Sequence, residues 1–333
     1  MGLSSSKPFD PIADLPDLKG RVVIVTGGNS GIGFATVQQL ARKGAKVYLA
    51  ARNESKATGA IARLEAEGLG PGNGEIVWLK LDLSDPKATK AAADVFLSKE
   101  KRLDILINNA AMLASPYSMN AIGVQETIVV NYLSPFVFTQ TLLPCLYRTA
   151  AEPGTDVRIV NVSSHAHALA PAGARFRSKE DLNISYDAKF LASMKRYGVS
   201  KLAVILWTDE LQRRIDVDKV PIICLTLHPG GVFTEGNISA VKKYPASRIT
   251  LYLTSLVLYT PTQGAYTVTF AAASSKVRTE ATIYKGAFLM PMGKMGKKTK
   301  MAEDAELGKE LWTTSESLSQ EIGLELSAPT DAR

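Results

Sequence analysis

The chain has 333 residues, 46% of them hydrophobic and 21% charged, with a formal net charge of +7. That length suffices for one large α/β domain with a buried core, and no compositional break marks a long linker. The basic residues are scattered apart from Lys294, Lys297, Lys298 and Lys300, with no interleaved aromatics; this excludes a nucleic-acid-binding protein and leaves a solvated basic surface.

The first residues, Met1-Gly2-Leu3-Ser4-Ser5-Ser6, read first as a Ser-rich flexible tail; they also fit the N-myristoylation pattern, so the alternative is a lipid on Gly2 with a peripheral membrane contact, the C-terminal lysines serving as a second signal. No secretory signal is visible, and the longest apolar run, Leu251 to Tyr259, is too short to span a bilayer. Cys145 and Cys224 sit in apolar runs, as reduced core thiols of a cytoplasmic protein do. Residues 1–17 read as a flexible tail, 18–322 as a single domain and 323–333 as a second tail.

Within the domain, β-branched apolar runs alternate with helical patterns. The strand-like runs are Val22–Thr26, Lys46–Ala51, Ile76–Leu81, Leu103–Asn108, Arg158–Ser163 and Ile222–His228, with a short seventh at Thr282–Tyr284. The helical stretches are Gly31–Lys43, Glu54–Glu67, Pro86–Lys99, Gln125–Tyr147, Ser193–Ile215 and Ala302–Leu318. Asp85-Pro86 is a capping side chain followed by proline at the first helical position. Unbroken apolar strands between helices predict a doubly wound Rossmann-type α/β fold, a parallel sheet of about seven strands covered on both faces. Two segments interrupt the alternation: an insert at 165–190, expected as a pocket wall or lid, and substrate-side loops and helices at 230–280.

The first strand runs directly into Thr26-Gly27-Gly28-Asn29-Ser30-Gly31-Ile32-Gly33 and then a helix. Glycines there let backbone approach a pyrophosphate, and the helix N-terminus offers unpaired N–H groups. The second strand ends in Ala50-Ala51-Arg52-Asn53, with no carboxylate for ribose hydroxyls and an arginine placed for a 2′-phosphate. This favours NADP(H) over NAD(H).

Of the eleven tyrosines only Tyr197 has a lysine four positions on, Lys201; Tyr186 has Phe190 there. Residues i and i+4 share a helix face. A lysine ammonium beside an oxidised nicotinamide is expected to lower the phenol's pKa, so that Tyr197 exchanges a proton with a carbonyl or alcohol oxygen. Ser164 ends the fifth strand, where open α/β sheets place ligands. Its neighbour Ser163 should face the other side of the strand. His165-x-His167 lacks a third plausible ligand nearby and makes a poor zinc site, so no metal is expected.

These motifs resemble those of the compact, single-domain short-chain dehydrogenases/reductases, over nearly all of residues 18–320. The resemblance implies cofactor contacts from Gly27, Asn29, Ser30, Gly31, Ile32, Gly33, Arg52 and Asn53. It implies that Asp82, followed by Leu83, contacts adenine, and that Asn109 and Ala110 in Asn108-Asn109-Ala110-Ala111 border the cofactor, with Ala111 where the family usually has glycine. Pro229, Gly230, Val232 and Thr234 match the run that grips the nicotinamide carboxamide. Ser164, Tyr197 and Lys201 match the catalytic serine, tyrosine and lysine, and Asn131 the helix asparagine that supports a water bridge to the lysine. The runs Tyr48–Arg52, Thr260–Ala265 and Glu310–Trp312 are most similar to the retinol-dehydrogenase-like branch.

The expectation is thus an NADP(H)-dependent oxidoreductase, monomeric or homodimeric, interconverting a lipophilic carbonyl and an alcohol. Phe233, Tyr244 and an apolar helix in 231–259 support the lipophilic part. The alternative is a nucleotide-binding sensor or scaffold without turnover, for which a proton donor would be superfluous. A nucleotide-sugar epimerase shares the Tyr/Lys pair but spaces its glycines differently.

Overall fold

The computed structural model describes residues 9–68, 73–113, 115–187, 191–232 and 258–326. Gly2, Phe233, Thr234 and Tyr244 lie outside them. Eight strands form one sheet in the order β3-β2-β1-β4-β5-β6-β7-β8. These are β1 Val22–Thr26, β2 Lys46–Ala51, β3 Ile76–Lys80, β4 Ile105–Asn108, β5 Val157–Val162, β6 Ile222–Leu227, β7 Phe288–Met290 and β8 Lys294–Met295. All pairings are parallel except β7 with the two-residue β8. Strand order reverses between β1 and β4, which opens a ligand crevice at their carboxyl ends.

The longer helices are α1 Gly31–Ala41, α2 Glu54–Ala66, α3 Pro86–Lys99, α4 Glu126–Ala151, α5 Ala192–Val217, α6 Pro261–Ala273 and α7 Ala305–Glu321. Side chains alternate across a strand, so β1 feeds two cores. Val22 and Ile24 face a cluster with residues of α3, α4, α5 and α7, while Val23 and Val25 face one with α1, α2 and α6. Caps follow the sequence: Asp85 accepts from the Lys87 N–H at 2.8 Å with Pro86 at the first turn, and Thr260 and Gln263 form a capping box on α6. Helix α4 has the length and composition to cross a membrane, but 89% of its most apolar window is buried inside the molecule. It is the core helix beneath the sheet.

Two expectations need correction. Thr282–Tyr284 is not a strand but part of a short helix, Ala281–Tyr284, with Tyr284 buried against Phe270. After α6 the chain must return to the lower edge before another parallel strand can start. Gly286, at φ +68°, makes that turn and donates its N–H to the Cys224 carbonyl, so β7 begins two residues later. The fourth strand starts at Ile105 rather than Leu103, because buried Asp104 accepts from Arg21, Arg102 and the Val22 N–H before the ladder begins.

Candidate active site

The glycine turn lies between β1 and α1. Gly27 has φ +67° and Gly31 φ +54°. A Cβ on Gly33 would stand 2.2 Å from the Gly27 carbonyl oxygen, and one on Gly28 2.9 Å from Leu49 Cγ. These positions demand glycine for the turn and for helix-on-strand packing. Ser30 is the N-cap of α1 yet makes no side-chain capping bond, so the first N–H groups, near Asn29 and Ile32, keep free valence for an anion. The cradle therefore fits a nucleotide pyrophosphate. Asn109 braces it from β4: its Nδ2 donates to the Thr26 carbonyl at 2.8 Å, while the backbone N–H groups of Asn109 and Ala110 donate to Thr26 Oγ1.

At the end of β2, Arg52 is 72% exposed, with its guanidinium 4.0 Å from Asp82 Oδ1. Asn53, not Arg52, caps α2, accepting from the Lys56 N–H. That leaves the Arg52 side chain uncommitted to the helix end. Asp82 also accepts from the Ser84 N–H and hydroxyl, and Leu83 is buried in the core. Across the crevice Pro229 is buried and Gly230 has φ +97°. Val232 is 3% exposed, bridges Tyr259 in parallel, and closes with Ile32 around Gly264.

Ser164 lies two residues beyond β5 and caps the short 3-10 helix His165–Leu169, its Oγ accepting from the Ala166 N–H at 3.1 Å. Tyr197 and Lys201 stand one turn apart on α5, with Nζ 5.7 Å from the phenol ring centre. Gly198 lets α5 touch the 3-10 helix, since a Cβ there would lie 2.7 Å from the Ala166 carbonyl oxygen. Tyr197 thereby reaches Ser164. Burial pushes the phenol's pKa up, and the nearby Ser164 hydroxyl pulls it partly back. In the protein alone, burial is the main influence on the phenol. Lys201 is 2% exposed, donates from Nζ to the Val162 carbonyl at 2.9 Å, and is brought down by burial to about 8.

Ser163 is buried and spends its hydroxyl on the Lys201 carbonyl at 2.8 Å, which removes it as a candidate. Asn131 sits in a π-helical turn, Val129–Leu133, within α4. Its Oδ1 accepts from the Met112 N–H, and its Nδ2 donates to the Met112 carbonyl and to Ser200 Oγ. Its link toward Tyr197 runs through Ser200, which donates to the Tyr197 carbonyl at 2.7 Å. Neither Met112 nor Ser200 was marked by a sequence motif.

The middle of the insert is no lid. Phe176 and Leu182 are fully buried, Arg175 pairs with Glu310 of α7, and Thr314 donates to the Phe176 carbonyl. Gln125 and Asn183 tie the insert to the start of α4. These two apolar anchors and the bonds around them make it a buttress. Among the described residues, the turn from Ala166 to Ala170 packs against Gly198, and the Ser185 carbonyl accepts from Arg196, so both ends of the insert border the Tyr197 turn. Tyr186 belongs to the buttress, in the core at φ 60°. The third histidine, His228, does come near the other two, with ring centres 6.1 Å (His165–His167) and 6.3 Å (His165–His228) apart. Among the described residues, however, no group of three or more His, Cys, Asp or Glu is arranged to hold a metal ion. A cavity of about 510 Å³ lined by Phe136, Gln140, Arg214 and Trp312 lies elsewhere and contains none of the groups above.

A family model described as short chain dehydrogenase matches residues 21–174. The chain is 43% identical over 315 residues to a short-chain dehydrogenase/reductase of Armillaria gallica, covering 95% of this chain and 97% of that one. An uncharacterized oxidoreductase of Schizosaccharomyces pombe is 39% identical, covering 88% of this chain and 83% of its own. Among solved structures, an uncharacterized protein from Mycobacterium paratuberculosis superposes with TM-score 0.68 at 29% identity, over 97% of this chain and 100% of that one. A short chain dehydrogenase from Burkholderia cenocepacia in complex with NADP gives TM-score 0.59 at 25% identity, over 84% and 98%.

Proposed function

The chain belongs to the short-chain dehydrogenase/reductase family of oxidoreductases, and within it we propose an NADP(H)-dependent enzyme that interconverts a lipophilic carbonyl compound and its alcohol. One observation carries the reading. Tyr197, Lys201 and Ser164 converge at the carboxyl end of β5, with the Ser164 side chain close enough to the phenol to lower its pKa and the lysine one turn away. A binding protein has no use for such a pair.

The nicotinamide, when bound, supplies or takes the hydride. The protein's own part is positional and protonic. Ser164 holds the substrate oxygen, and Tyr197 gives that oxygen a proton or removes one. The raised phenol pKa keeps Tyr197 protonated, the form that reduction of a carbonyl requires. Lys201 braces the cofactor ribose and, with its charge one turn below the ring, favours the phenolate when the reaction runs toward the ketone or aldehyde. Asn131 and Ser200 hold the α5 backbone at Tyr197 in place. Pyrophosphate fits the Gly27–Gly33 turn, adenine the Asp82–Leu83 edge, and the nicotinamide the Pro229–Val232 edge, with Thr234 following in sequence. The Burkholderia relative binds NADP, in line with Arg52 at the ribose end.

The test is a panel of aliphatic aldehydes, retinal, steroids, aromatic ketones and quinones, assayed with NADPH and NADH for wild type and Arg52→Ala. Loss of a charge-assisted phosphate contact is expected to raise KM for NADPH by roughly 10- to 100-fold and leave NADH unchanged. A wild-type preference for NADH would overturn the cofactor assignment. Retinal among the poorest substrates would detach the chain from the retinol-dehydrogenase-like branch.

A further inference from the structure

Ser164 can orient a substrate oxygen only if its own backbone is fixed, and the turn it caps is just five residues long. That turn is held by two hydrogen bonds to one carbonyl oxygen. The Ser164 carbonyl accepts the His167 backbone N–H at 3.1 Å and also faces His167 Nδ1 at 2.8 Å. A carbonyl can only accept, so Nδ1 carries the hydrogen and Nε2 is left as the bare nitrogen. Nε2 is buried and has no hydrogen-bond partner among the described residues, and the ring is 2% exposed, edge-on to Phe288 of β7 at 5.1 Å. Such a site suits a neutral ring alone. Burial is the main force against a second proton; His165 and Lys298 press the same way, while the bond to the Ser164 carbonyl favours the charged ring. Lys298 is itself paired with Asp209.

We propose that His167 is a positioning residue of the active site: its Nδ1–H clamps the Ser164 carbonyl and so aims the serine hydroxyl at the oxygen shared with Tyr197. His167 touches neither substrate nor cofactor. It acts through Ser164, and the inference rests on the oxidoreductase reading above. The remaining valences of Ser164 agree with it. Oγ accepts from the Ala166 N–H, which leaves the hydroxyl hydrogen as the part still to be directed.

The experiment compares kcat, KM and NADPH affinity for wild type, His167→Asn, His167→Phe, His167→Gln and Ser164→Ala on whichever panel carbonyl turns over. Asparagine places an N–H near the Nδ1 position; phenylalanine keeps the ring but has no donor; glutamine carries its donor one bond too far. His167→Phe and His167→Gln are expected to lose about tenfold in kcat with NADPH affinity unchanged, and His167→Asn to stay within about twofold of wild type. If phenylalanine fails to fold, the glutamine–asparagine contrast still decides. Wild-type kcat in both the phenylalanine and the glutamine variants, or an asparagine variant as slow as phenylalanine, overturns the clamp. No wild-type turnover on any carbonyl, or full activity in Ser164→Ala, overturns the oxidoreductase reading instead, and the clamp falls with it.

Discussion

Lys201 shows how one residue trades stability for chemistry. Burial takes it from 10.5 down to about 8. Between those values the unfolded chain holds one more proton than the folded one, so stability rises with pH. Below about 8 both forms are charged and the folded chain carries the full desolvation cost, roughly 3 kcal/mol from the size of the shift. Lys201→Met is therefore expected to raise Tm at pH 7, to raise it less at pH 9, and to abolish turnover. Thermal unfolding at the two pH values checks this; a lower Tm at both would show that the bond to the Val162 carbonyl outweighs burial. The Tyr197/Lys201 spacing was readable because four residues make one helical turn. The partners that hold these groups were not. Met112, Ser200 and His167 become neighbours of the site only through a π-turn in α4 and a 3-10 turn after β5, neither of which has a hydrophobic period to read.

At the scale of elements, α7 does more than end the chain. Trp312 is 4% exposed, packs edge-on against Phe136 of α4 at 5.2 Å, and lies under the Arg214 guanidinium of α5 at 4.1 Å. The same helix anchors the insert through Glu310 and Thr314. Trp312→Ala is expected to cost about 3–5 kcal/mol, as large core truncations do. It should also speed amide hydrogen exchange across residues 170–183 while NADPH affinity holds, because the glycine turn draws on the opposite core. Unaltered exchange in the insert would mean that α7 does not support it. Elements with strong periodicity were legible almost to the residue, β1, β2 and α3 among them. The insert and β7 were not: their structure comes from tertiary partners, α7 and β6, rather than from their own pattern.

Across the whole molecule, strand order and residue chemistry converge on one place. The reversal between β1 and β4 opens a crevice, the glycine turn floors one side of it, and Ser164 and Tyr197 stand at the other. Motif order along the chain made that convergence legible, since the glycine turn, Arg52, Asp82, Asn109, Ser164 and Pro229 each fell near a strand's carboxyl end and the Tyr197/Lys201 pair on the helix after β5. The substrate was not legible, because specificity resides in loops whose sequence carries no period. The central claim is that this crevice performs proton-coupled hydride transfer rather than binding a nucleotide alone. Removing one oxygen tests it most directly. NADPH binding, followed by nicotinamide fluorescence, and turnover of a panel carbonyl should be measured side by side for wild type and Tyr197→Phe. The account predicts equal binding within about twofold and a loss of turnover of at least a hundredfold in the variant. Undiminished turnover in Tyr197→Phe would contradict it.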